Sequence, residues 1–159
     1  MIAMTKARTK LNPNRHLWFL HGARNGVTHA FGDAVLNVGK ENPNLHIHYK
    51  YSRPRSQDAG HYHSEGYVDK ELLQTQVIRK IQQIYGASDA EYFLCGSPAF
   101  MDFIRNGLQE LKVLDTNITI TQLNRSSLTL AIYMSISPLY NRTISFVFSH
   151  LRKERTNLR

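Results

Sequence analysis

The sequence predicts an α/β fold in which a Rossmann-like parallel sheet is covered by helices on both faces. Two observations support this prediction. Short apolar runs alternate with helix-like segments between residues 18 and 111, an order typical of parallel strands joined by right-handed helical crossovers. Turn-forming residues also follow the apolar runs. Ligands of such sheets bind at the carboxyl ends of the strands, so we expect the loops 21–26, 52–56 and 95–98 to carry function.

Hydrophobic spacing defines each element of this alternation. Strands are predicted over 16–20, 45–51 and 90–95, and helices over 28–38, 68–85 and 98–111. We expect Asp69 to cap one helix at its start and Gly86 to end it, and Gly39 to close the helix before it. A further helix over 1–12 is ended by Pro13. Beyond residue 112 the pattern weakens, and the strand-like stretches there are 117–121, 128–136 and 144–148.

Composition restricts the class of protein. The 159 residues, 42% of them hydrophobic, suit one soluble domain with a real core. The lone cysteine, Cys95, excludes an intrachain disulfide and any four-cysteine metal site within the chain. No apolar run approaches the roughly 20 residues that span a bilayer. We therefore expect a cytoplasmic protein without a membrane segment.

The formal charge of +8 raises the alternative of a small basic nucleic-acid-binding domain. The excess lies at the two ends, however. Residues 1–32 hold five basic residues and no acid, and residues 116–159 hold six basic residues and one acid. The middle, 33–115, sums to −2. Because a nucleic-acid domain usually carries its charge along one face, we do not expect nucleic acid as a partner.

Three loops carry a family resemblance. They read His-Gly-Ala-Arg-Asn at 21–25, Tyr-Ser-Arg-Pro at 51–54 and Cys-Gly-Ser-Pro-Ala-Phe-Met at 95–101. In this order and spacing they resemble the NAD(P)-binding domain of the ferredoxin–NADP reductase-like family, in particular flavohemoprotein-type reductase modules. The resemblance covers about residues 1–115 and implies an oxidoreductase whose cofactor is NADP or NAD.

The resemblance also implies roles for particular residues. The turn Cys95, Gly96 and Ser97 would position the nicotinamide, with Pro98 starting the helix behind it. Arg24 and Asn25 would lie near the ribose and phosphates of the cofactor. Ser52 and Arg53 match a position that binds the 2′-phosphate of NADPH in related reductases. Because a guanidinium suits phosphate, Arg53 favours NADPH modestly over NADH.

Three departures from the family pattern matter. The Gly-rich turn GGxGxTP and the strand before it are absent, and the last strand, near 118–123, lacks the Glu-x-Phe signature. We also expect no flavin-binding barrel ahead of the module in this chain. We therefore expect an N-terminally truncated reductase domain over 1–115 that lacks the central strand of its sheet, with the stretch 128–136 as a candidate to fill the gap. Residues 116–159 are expected to be a divergent tail, in which 143–150 is weakly similar to the first strand of a following [2Fe–2S] domain.

The functional expectation is a module that delivers hydride from nicotinamide to FAD or FMN in a missing or partner domain, with an iron–sulfur or heme electron-transfer domain as a further partner. The isolated chain is expected to be incomplete and inactive. The alternative is a non-enzymatic remnant that binds no cofactor. The histidines His46, His48, His61 and His63 raise a zinc site, but one pair lies in a loop, so no metal is expected.

Overall fold

The computed structural model describes residues 2–29, 32–86, 90–121 and 143–149. Within them, strands form a six-stranded sheet in the order β3-β2-β1-β6-β4-β5, and every pairing is parallel. The strands are β1 (Leu17–Ala23), β2 (Leu45–Tyr51), β3 (Ser64–Glu65), β4 (Ala90–Cys95), β5 (Ile118–Ile120) and β6 (Thr143–Ser149). The predicted α/β class with a parallel sheet is confirmed.

Helices connect and cover these strands. They are α1 (Ile2–Leu11), α2 (Gly32–Glu41), α3 (Lys70–Leu73), α4 (Arg79–Tyr85) and α5 (Pro98–Glu110). A π-helical turn, Gln74–Ile78, joins α3 to α4 in one continuous helical segment. The side chain of Asp69 accepts a hydrogen bond from the Leu72 amide at its start, and Gly86 ends it with a φ of +69°, so both predicted caps are confirmed.

Strand alternation divides the core between the two faces of the sheet. Leu17, Phe19 and Tyr49 pack on one face with Met4 of α1 and Val35 of α2. Trp18, Leu20, Tyr92 and Leu94 pack on the other face, with the apolar side chains of α3, α4 and α5. Helices on both faces leave the carboxyl edge of the sheet open for loops, which is where ligands bind in this architecture.

The central position of the sheet is occupied. β6 lies between β1 and β4 and pairs with both, so that the Cα of Phe146 stands opposite those of Phe19 and Phe93. A sheet without its central strand is therefore not confirmed, because this C-terminal strand completes the hydrogen-bond ladder of both neighbours. The stretch 128–136 lies outside the described residues. The domain division near residue 115 stays a prediction, although both β5 and β6 pair into the sheet.

The predicted role of Gly39 as a helix cap is wrong. Helix α2 continues to Glu41, and Gly39 lies inside it, facing the sheet. A Cβ atom at this position would lie 2.8 Å from Cδ1 of Ile47 on β2. The glycine thus permits a close approach of helix and strand, a use that the sequence pattern does not distinguish from a cap.

Candidate functional site

The carboxyl ends of β1 and β2 are joined beyond the last residues of the strands. The Ser52 amide donates to the carbonyl of Ala23 at 2.9 Å, and the Arg53 amide donates to the carbonyl of Arg24 at 2.8 Å. In the β1 loop, the hydroxyl of Thr28 accepts hydrogen bonds from the Arg24 and Asn25 amides, each at 3.2 Å. These bonds place Arg24 and Arg53 side by side at the backbone level.

The turn after β4 has a different construction. Ser97 is the N-cap of α5, and its hydroxyl oxygen accepts a hydrogen bond from the Phe100 amide at 3.3 Å, while Pro98 occupies the first turn. Serine at the N-cap and proline just inside a helix are favoured because the first amides lack intrahelical partners. The start of this helix favours negative charge.

A cleft of about 430 Å³ lies between these two sets of loops. It spans the end of β1 and the start of α5, where the strand order reverses on either side of β6. Its lining residues are Gly22, Ala23, Arg24, Ser52, Gly66, Tyr67, Val68, Ser97, Ala99, Phe100 and Phe103. A largely apolar cleft at a topological switch point is the usual place for a nucleotide ligand.

Three of the predicted site residues, Arg24, Ser52 and Ser97, line this cleft together. The other predicted residues lie outside its lining. Cys95 is a free thiol, 1% exposed, at the end of β4, and burial raises its pKa, which disfavours the thiolate. Gly96 and Pro98 flank Ser97 in the turn, and Asn25 follows Arg24. Arg53 lines a neighbouring cleft.

Sequence reasoning missed the aromatic walls of the apolar cleft. Tyr67 is 72% exposed and Phe103 is 55% exposed, although both are large aromatic side chains. Gly66, whose φ of +104° suits glycine, precedes Tyr67 and turns the chain toward the cleft. A signal for Phe103 exists in the sequence, because it stands three residues after Phe100 on the same side of α5.

The neighbouring cleft, of about 470 Å³, lies beyond the end of β2. Its lining is polar: Ser52, Arg53, Pro54, Arg55, Ser56, Ala59, Tyr62 and Glu65. Ser52 belongs to both clefts, so the polar cleft and the apolar cleft adjoin. An elongated ligand with an apolar end and a charged end could therefore contact both.

An ion pair holds the loop that forms the polar cleft. Asp58, 3% exposed, accepts hydrogen bonds from the Arg55 guanidinium at 2.7 and 3.1 Å and from the Arg55 amide at 2.9 Å. These bonds hold the pKa of the Asp58 carboxyl well below its usual range. Gly26 of the β1 loop packs so closely that a Cβ there would lie 2.6 Å from Oδ1 of Asp58.

The histidines considered for zinc do not converge, because three of them, His46, His48 and His63, belong to two different ring pairs. Nδ1 of His16 lies 2.8 Å from Nε2 of His46, and the rings of His48 and His63 stack with centroids 5.1 Å apart. Burial lowers the pKa of His46 and His63, and lowers that of His48 to about 4. In the part of the chain that the structure describes, no group of three or more metal-ligating side chains is found.

Comparison of the sequence with known protein families identifies the family of this chain. The family model described as "Oxidoreductase NAD-binding domain" matches residues 1–106. The chain belongs to this family. The resemblance inferred from the three loops is thereby confirmed, and NAD or NADP is the cofactor class of the domain.

Proteins named flavohemoprotein are among the relatives. The chain is 31% identical over 113 residues to one from Rhodopirellula baltica, a match covering 71% of this chain and 26% of that protein. It is 31% identical over 114 residues to one from Bacillus subtilis, covering 70% and 26%. It is 35% identical over 99 residues to one from Chromobacterium violaceum, covering 62% and 23%. The chain thus spans about a quarter of the length of these relatives.

These findings favour an oxidoreductase domain over the two alternatives raised by the sequence. The NAD-binding domain match covers the region that carries the open clefts, and residues 33–115 of the chain have a net negative charge. Among the described residues, no helix of this NAD-binding domain has the length and apolar character needed to cross a membrane.

Proposed function

We propose that this chain is the NAD(P)H-binding module of a flavin-dependent oxidoreductase. The observation that carries the proposal is the apolar cleft at the topological switch point, which brings Arg24 and Ser52 from one side and Ser97 from the other. When bound, the reduced nicotinamide would supply a hydride for reduction of a flavin.

The residues present fit such a cofactor. The aromatic rings of Tyr67 and Phe103 offer the apolar surface that a flat heterocycle needs. Ser97 holds the start of α5 toward the cleft, and a helix start favours the negative charge of phosphates. Arg24 adds a cation at the rim. These chain groups bind and orient the cofactor, and none of them needs to exchange a proton.

Each of the predicted site residues keeps a role in this proposal. Gly96 and Ser97 position the nicotinamide, and Cys95 supports the turn from below as a buried, protonated thiol. Pro98 fixes the first turn of α5. Arg24 and Asn25 serve the phosphates and ribose. The adenosine end extends toward Ser52 and Arg53 in the polar cleft.

The flavin, FAD or FMN, belongs in this proposal to a partner domain or chain. The names of the relatives and their length support this: each flavohemoprotein is about four times as long as the matched segment. A heme or iron–sulfur electron-transfer domain is a further partner of the same kind. The exposed aromatic rim formed by Tyr67 and Phe103 leaves one side of the cleft open to such a domain.

Cofactor binding by the full chain tests the proposal. NADH and NADPH should each raise the melting temperature and quench or shift the nicotinamide fluorescence, since a ligand selective for the native state stabilises it. Arg24→Gln should weaken binding about tenfold, because it removes a charge-assisted contact. Arg79→Gln is the matched control: Arg79 is an exposed arginine that lines neither cleft.

Two results would count against the proposal. If neither nucleotide shifts the melting temperature at millimolar concentration, the chain is the non-binding remnant. If both arginine variants weaken binding equally, the effect reflects net charge and the cleft is not the site. Hydride delivery is tested separately, by anaerobic mixing of NADH, the chain and a flavin domain from a flavohemoprotein: flavin bleaching should be faster with the chain than without it.

A further inference from the structure

The polar cleft contains charged residues to which the family resemblance assigns no role, in addition to Arg53. Two cations, Arg53 and Arg55, and one carboxylate, Glu65, line it, and the carboxylate of Asp58 lies directly behind Arg55. The balance of these four groups decides which anion or hydroxyl the cleft accepts. The hydrogen bonds of these four side chains show which of them are already paired within the protein and which are available to a ligand.

Arg55 is engaged. Two of its guanidinium nitrogens and its backbone amide bind Asp58, and the pair is buried on the Asp58 side. The charge of Arg55 is therefore largely neutralised, and its geometry is fixed by a bidentate pair. This pair shapes the cleft wall and contributes little net attraction for a further anion.

The side chains of Arg53 and Glu65, in contrast, are exposed and available to a ligand. Among the described residues, no hydrogen-bond or ion-pair partner is found for the Arg53 side chain, which is exposed. The Glu65 carboxylate is also exposed, and only its Oε1 is engaged, accepting a hydrogen bond from the Tyr62 hydroxyl at 2.8 Å. That bond raises the pKa of Tyr62. Tyr62 itself stacks on Tyr51 of β2, with ring centroids 5.1 Å apart, so the acceptor is held by a fixed partner.

A ribose and a phosphorylated ribose meet this arrangement differently. A carboxylate accepts hydrogen bonds from the 2′- and 3′-hydroxyls of an adenosine ribose, whereas it repels a 2′-phosphate. Arg53 attracts the same phosphate. With Arg55 neutralised by Asp58, the described lining of the cleft offers the Arg53 guanidinium against the Glu65 carboxylate, and hence little net attraction for a dianion.

We propose that Glu65 is a specificity-determining residue that directs the site toward NADH by accepting the ribose hydroxyls and opposing a 2′-phosphate at Arg53. The inference rests on the proposed function, because it assumes that the adenosine end of the cofactor lies in the polar cleft. Glu65 thus favours NADH, whereas the guanidinium of Arg53 alone favours NADPH.

Binding of NADH and NADPH to Glu65→Gln tests this inference. The amide keeps the size of the side chain and an oxygen that accepts from Tyr62, so the fold should be unaffected. The ratio of the NADPH to the NADH dissociation constant should fall at least about tenfold relative to the wild type. Glu71→Gln is the matched control, because Glu71 is an exposed glutamate on α3 that lines neither cleft; its ratio should equal that of the wild type.

Arg53→Gln provides a second variant with the opposite sign. It should weaken NADPH binding more than NADH binding, and the effect on NADPH should shrink as salt is raised. An unchanged ratio in Glu65→Gln, with both nucleotides bound, would overturn the role of Glu65 and leave the proposed function standing. An equal change in Glu71→Gln would also overturn it. Binding of neither nucleotide to the wild type would overturn both proposals together.

Discussion

The two halves of the sheet are built differently, and the apolar cleft lies at their junction. In the first half, β1 and β2 are paired along their whole length, and their loops are tied by backbone bonds and by the Arg55–Asp58 pair. In the second half, β4 pairs with the short β5, the Thr121 amide donates to the carbonyl of Leu94, and the turn after β4 is capped by Ser97. Backbone bonds thus tie the β1 and β2 loops to each other, whereas the turn after β4 is held by the cap of the helix that follows it.

Among the described strands, only β6 joins the two halves within the sheet. β1 pairs with β2 and β6, and β4 pairs with β5 and β6, so in the described part of the chain no ladder hydrogen bonds run directly between β1 and β4. Within the sheet, the relative position of the two edges of the cleft therefore depends on β6, and on one face the apolar cluster that contains Trp18 of β1 and Tyr92 of β4 also joins the halves.

Removal of β6 should produce the largest effect. Deleting residues 143–159 leaves unpaired strand edges on β1 and β4, and we expect loss of cooperative thermal unfolding, meaning most of the roughly 5–15 kcal/mol typical of a domain. Deleting 150–159 alone is the control and should preserve the transition. Circular dichroism and calorimetry measure both. Equal melting temperatures for the two deletions would show that the halves associate without β6.

Acid should affect the first half selectively. His46, His48 and His63 have pKa values lowered by burial, and Lys50 and Lys80 further oppose a charge on His48. The unfolded chain binds protons near pH 6.5, so stability is fully present above that pH and falls as the pH drops toward about 4. Hydrogen exchange should accelerate first in β2.

A histidine variant sharpens this prediction. His48→Gln removes a group whose charging opposes folding, so its melting temperature should decline less between pH 6.5 and 4 than that of the wild type. His61→Gln is the control, because His61 is an exposed histidine in the loop between β2 and β3. Identical pH profiles for wild type and His48→Gln would exclude His48 as the source.

The smallest effect is expected in the second half. Ser97→Ala removes the N-cap of α5 and should lower the free energy of unfolding by about 1 kcal/mol. Ser97→Asn keeps a capping oxygen and should restore most of that loss. If the turn also positions the nicotinamide, Ser97→Ala should weaken NADH binding beyond what its stability change explains, whereas Ser97→Asn should not. Chemical denaturation and a binding titration separate the two effects.

The sequence predicted local features better than distant ones. The caps at Asp69 and Gly86 and the strand alternation of 45–51 were accessible because they depend on neighbouring residues. The strand character of 144–148 was accessible for the same reason. Its place between β1 and β4 was not, since parallel pairing joins residues far apart in the chain and leaves no mark in the periodicity.

The candidate site was partly predictable. The three loops led to Arg24, Ser52 and Ser97, which line one cleft. The aromatic walls Tyr67 and Phe103 were missed, because an exposed aromatic residue in a loop or on a helix gains meaning only when the cleft is seen. Glu65 was missed for a related reason: its importance depends on which of its neighbours are already paired.

Hydrogen exchange of the full chain with and without NADH tests the central claim most directly. If the cofactor binds across the junction of the two halves, protection should increase both in the β1 loop around Arg24 and at the start of α5 around Ser97 and Phe100. Protection confined to one half, or absent from both at saturating NADH, would contradict a site built from the two halves together.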